Sequence, residues 1–78
     1  MDEKDLLEDL RTTSAQVSAT AEHLDSLEAK KRKVEPGDPK LIELSDEIER
    51  IAARLRRQTA VESSLSREIN DVAQEEPA

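Results

Sequence analysis

Pro36-Gly37-Asp38-Pro39 stands almost at the midpoint of a 78-residue chain, and nowhere else do residues that break helices cluster. On either side lie about 35 residues of strongly helix-forming composition without an internal glycine or proline. Two helices joined by so short a connection must run back along each other. The chain is therefore read as all-α, an antiparallel helical hairpin occupying residues 1–78 as one domain. Helix 1 is expected over about 3–34, the turn over 35–38, helix 2 over about 39–73, and a frayed tail over 74–78.

The periodicity of the arms agrees with this shape. Leu6, Leu10, Thr13, Val17, Thr20, Leu24, Leu27, Lys31 and Val34 are spaced alternately by four and three residues, which is the seam of a coiled-coil-like helix. The second arm repeats the pattern with Leu41, Leu44, Ile48, Ile51, Leu55, Gln58, Glu62, Leu65, Ile69 and Val72. Disordered chains of high charge do not keep apolar residues in such register. Folding about the central bend pairs residues whose numbers sum to about 75, so that Val34 meets Leu41, Leu24 meets Ile51 and Leu6 meets Ile69. The same register brings Arg50 opposite Asp25 and Arg54 close to Glu22, pairs worth about 0–1 kcal/mol each at an exposed flank.

The ends of the arms have chemical causes. Pro36 disfavours helical geometry at Glu35, and Gly37 is read as the left-handed residue that closes the first helix near Val34. Asp38 is expected to cap the second helix, with Pro39 at its first position, where a missing N–H costs nothing. Asp2, Glu3 and Asp5 at one end of the first arm and Lys30 to Lys33 at the other complement the helix dipole.

A chain this short buries too little surface for a lone core to supply ample stability, so some staple is expected. Cysteine is absent and His23 is the one histidine, which removes disulfides, thiolate metal sites and histidine clusters. Phe, Tyr and Trp are also missing, leaving Leu, Ile, Val and Ala to build the interior. Oligomerisation is the remaining staple. A third position in each heptad is small or apolar, comprising Leu7, Ser14 and Ala21 in the first arm and Ser45, Ala52, Thr59, Ser66 and Ala73 in the second. Such a widened stripe is what a helix shows in a four-helix bundle. Leu7, Ala21, Ala52, Thr59 and Ala73 are accordingly read as self-association residues, and a homodimer of hairpins completing a four-helix bundle is expected. A different helical protein covering the stripe, or a bare monomeric hairpin, are the alternatives weighed.

Two further features invite a functional reading. Thr13 and Val17 should face Gln58 and Glu62, a polar interruption that either docks a partner or fixes register at a cost in stability. The run Lys30-Lys31-Arg32-Lys33, with Lys40 across the turn, gives the stretch from Ala29 to Ile42 five basic residues against two acidic ones, or +3, leaving −10 elsewhere from a net charge of −7. Such a tip has the charge to bind an anionic ligand, a nucleic acid or a membrane surface. Helix-dipole complementation explains it equally, and no aromatic is present to stack a base. His23 flanks the seam, where it is read as a polar edge residue rather than a pH-sensitive contact.

The acidic balance disfavours generic nucleic-acid and membrane binding. Apolar runs do not exceed three residues, so a spanning helix and a signal peptide are not expected, and the chain is read as cytoplasmic. The bundle di-metal pattern needs Glu three residues before His, whereas Thr20 precedes His23. No metal, cofactor, small-molecule substrate or catalytic constellation is expected, and the function read from the sequence is a non-enzymatic structural or protein-interaction module.

Overall fold

A computed structural model describes residues 2–75, and its two helices, α1 (Glu3–Lys33) and α2 (Pro39–Glu75), form an antiparallel hairpin. The pair is a rod of 64 × 15 × 14 Å. Neither helix is interrupted, as expected where Ala, Leu, Glu, Arg and Lys predominate. Of the tail expected to fray, Gln74 and Glu75 continue α2, while residues 76–78, like Met1, lie outside the described residues.

The interior is a single line of side chains between the helices. Leu6, Leu27 and Ile51 are the buried apolar residues, at 2, 3 and 7 % exposure, and Thr20 joins them as a buried polar one. Every other position of the two seams is half-buried except Lys31, whose side chain is exposed. Lys31 sits where a long cationic side chain can keep its head in water while its stem lies along the seam. The mirror register is fixed directly by one bond across the helices. The Ser14 hydroxyl donates to Glu62 Oε2 at 2.6 Å, joining residues on opposite arms whose numbers agree with the expected pairing. Arg50, Asp25, Arg54 and Glu22 are all exposed, so solvent screens any pairing at that flank.

The bend differs from the expected one in a single respect. Lys33 is the last residue of α1, and Val34 is already extended (φ −83°, ψ 134°), its N–H donating to Lys31 O at 3.2 Å. Gly37 therefore comes too late to close that helix. It serves a separate tight turn, Glu35-Pro36-Gly37-Asp38, in which the Asp38 N–H donates to Glu35 O at 3.1 Å. With proline at the second position and glycine at φ 90° in the third, this is a type II turn. Asp38 then starts α2 as expected. Its Oδ1 accepts from the Lys40 N–H at 2.9 Å and its carbonyl from the Leu41 N–H at 3.0 Å, while Pro39 occupies the first helical position. At the other end Asp2 flanks α1 with its carbonyl accepting from Leu6, but its carboxylate makes no capping bond.

Candidate interaction surfaces

Two antiparallel helices with facing seams are related by a local two-fold axis perpendicular to the plane they define. That symmetry keeps the residue following each seam residue such as Leu6 or Ile51 on one broad face of the hairpin in both helices, and the residue preceding seam positions such as Leu10 or Ile48 on the other. The two faces are chemically unlike. On the first lie Leu7, Ser14, Ala21 and Glu28 of α1 with Ser45, Ala52, Thr59, Ser66 and Ala73 of α2, of which one in nine is charged. The opposite face holds Asp9, Gln16, His23 and Lys30 with Lys40, Glu47, Arg54, Val61 and Glu68, of which six in nine are charged. All five residues read as self-association positions thus lie together on the uncharged face.

Their exposure is graded along the rod. Leu7 is 45 % exposed and Ala73 is exposed, whereas Ala21, Ala52 and Thr59 are half-buried. The Thr59 hydroxyl donates back to Arg56 O at 2.9 Å, which satisfies it within its own helix and leaves its methyl group to the surface. Ile42, three residues before Ser45 and so at the rim of this face, is 69 % exposed. Neither Ile42 nor Val61, 51 % exposed on the charged face, belongs to the heptad pattern, and for that reason periodicity did not single them out as surface features.

The polar interruption forms a real stratum in the seam. Besides the Ser14–Glu62 bond, it contains Gln58, whose Oε1 is buried with no hydrogen-bond partner among the described residues. A buried unsatisfied carbonyl costs about 1–3 kcal/mol. Thr13, Val17, Gln58 and Glu62 are all half-buried.

The basic tip is less cationic in space than along the chain. Lys30, Lys31, Arg32, Lys33 and Lys40 are all exposed, but folding lays Glu43 and Glu47 of α2 near Lys30. Lys30 and Lys40 share a shallow groove with Glu43 and Glu47, floored by Val34 and Leu44. Counted across both arms, residues 29–46 carry five basic and four acidic groups, +1 in place of the +3 of the linear stretch. The acidic charge lies at the far end, where residues 2–9 and 66–73 hold seven acidic groups against two basic ones, or −5. A second shallow groove on α2, lined by Asp46, Glu49, Arg50 and Ala53, is open to solvent. No helix of the described residues is long and apolar enough to cross a membrane.

No protein-family model, curated protein or solved structure matches this chain.

Proposed function

We propose that this chain is a non-enzymatic structural and protein-interaction module that works by self-association, two hairpins laying their uncharged faces together as a four-helix bundle. The observation that carries the reading is the chemical difference between the broad faces, one in nine charged against six in nine. A hairpin that lives alone in water has no need to keep one face free of charge. The surface area points the same way. The chain exposes 6042 Å², whereas a compact monomer of its mass exposes about 4,700 Å². The surplus of about 1,300 Å² exceeds the roughly 800 Å² that each partner contributes to a stable interface.

Anionic-ligand binding by Lys30, Lys31, Arg32, Lys33 and Lys40 is the alternative reading, and the proximity of Glu43 and Glu47 to two of those lysines weakens it. A cytoplasmic setting is part of the proposal.

Sedimentation over a wide concentration range tests the reading. The wild type is expected to sediment as a dimer at micromolar concentration. Ala21→Glu/Ala52→Glu, which places charge on the uncharged face, should give a monomer that remains helical by circular dichroism near 222 nm. His23→Glu on the opposite face should leave the dimer intact. A compact monomeric wild type, stable on dilution, would overturn the proposal.

A further inference from the structure

We infer that the partner on the uncharged face is a second copy lying tip to tail, so that each α1 runs antiparallel to the α1 of the other copy. The inference rests on the self-association proposed above and adds its orientation. Two symmetric arrangements bring these faces together. With the two-fold axis along the rod, the bends meet at one end and each α1 lies over the partner's α2. With the axis across the rod, the bends lie at opposite ends and like helices face one another.

Charge chooses between them. In α1 the first turn is acidic, with Glu3 and Asp5, and the last turn is basic, with Lys30 to Lys33. Tip to tail, these opposite ends of α1 are superimposed, and symmetry makes the match twice. Tip to tip, the acidic start of α1 is set instead against the end of the partner's α2, where Glu68 and Asp71 lie, and two −5 ends coincide. Like charges so juxtaposed are the ordinary way in which a wrong arrangement is rejected.

The stripe itself supplies the alignment. Setting Ser14 opposite Ala21 of the other copy, which places small residues where the helices approach, also brings the acidic first turn of α1, with Glu3 and Asp5, level with the basic last turn, Lys30 to Lys33, of the other α1. Carried to α2 through the mirror pairing of the hairpin, the same alignment sets Ala52 level with Ser63 and Ser45 level with Asn70. It sets the exposed Ile42 level with Ala73, whereas the tip-to-tip arrangement would lay Ile42 on the basic run. Small residues of α1 and complementary charged ends are thus satisfied by one register.

A spin label on Glu35→Cys tests the orientation, because the native chain has no cysteine to compete for it. Tip to tail, the two labels are separated by about the length of a helix, beyond roughly 45 Å. Tip to tip, they fall within about 25 Å, a few helix diameters. A dimer by sedimentation with the short distance would sink the orientation and leave self-association standing. A monomer would sink both. Charge reversal gives a second readout with opposite signs for the two arrangements. Glu3→Lys/Asp5→Lys should weaken the tip-to-tail dimer at least tenfold, and mixing it with Lys30→Glu/Arg32→Glu should restore a heterodimer. Tighter association of Glu3→Lys/Asp5→Lys on its own would overturn the inference.

Discussion

Replacing Gln58 by Leu is expected to stabilise this protein, although it removes a hydrogen-bonding side chain from a highly charged molecule. Gln58 occupies a seam position, its side chain is half-buried, and its Oε1 is shielded from solvent without a partner. The folded state therefore carries a desolvation cost of about 1–3 kcal/mol that the unfolded chain, hydrated at this amide, does not. Leucine has similar volume, removes that cost and adds apolar burial worth about 0.8 kcal/mol per methylene enclosed. Allowing for the partial exposure of the site and for imperfect packing, the expected net gain is about 1–2 kcal/mol. With a urea m value of about 1 kcal/mol/M for so small a domain, the midpoint should rise by about 1–2 M. The measurement is urea unfolding followed by circular dichroism at 222 nm, at one fixed protein concentration, because the midpoint of a self-associating protein shifts with concentration. Gln58→Ala serves as the control that removes the amide without adding bulk, and it should fall between the two. An unchanged or lower midpoint for Gln58→Leu would refute the reasoning, since it would mean that the amide is satisfied in the folded protein. A stabilised variant that also populates larger oligomers would fit the known use of seam polar residues in restricting assembly.

Two other substitutions probe the packing and the bend. Ser14→Ala removes the 2.6 Å bond and leaves the half-buried Glu62 carboxylate without it, so unfolding should become easier by about 1–2 kcal/mol; in a double-mutant cycle with Glu62→Gln the two effects should be clearly non-additive. Gly37→Ala should cost about 1–2 kcal/mol in the same assay, and the cause would be backbone conformation alone, because a Cβ at Gly37 meets nothing within 4 Å while φ is 90°. Gly37→Asn, which tolerates the left-handed region, should cost less.

What could be read in advance divides along a physical line. The seam was legible because burial in a helix pair depends on spacing alone, and Leu6, Leu27 and Ile51 are interior for the same reason that they recur every three or four residues. The cap at Asp38 was legible because it is local, decided by a side chain two residues from the N–H it accepts from. Gly37 was misassigned because two motifs place a glycine at positive φ after a helix. Which one forms depends on where α1 stops, and Val34 turns extended before Gly37 can act as its cap. The charge around the basic tip was only partly legible. Lys30 to Lys33 form a run along the chain, and Glu43 and Glu47 reach Lys30 only across the fold. Likewise, the unpaired Gln58 carbonyl depends on which neighbours enclose it, and spacing carries no such information.

The tight bend also sets the order in which the rod can assemble. Because every residue meets its mirror across Gly37, joining Val34 to Leu41 closes a loop of only a few residues, whereas joining Leu6 to Ile69 closes most of the chain. On loop entropy alone the inner contact is cheaper by about 2 kcal/mol. The molecule is therefore a zipper with its slider at the proline-glycine corner: teeth engage from the corner outward, and under stress the acidic end parts first while the corner still holds.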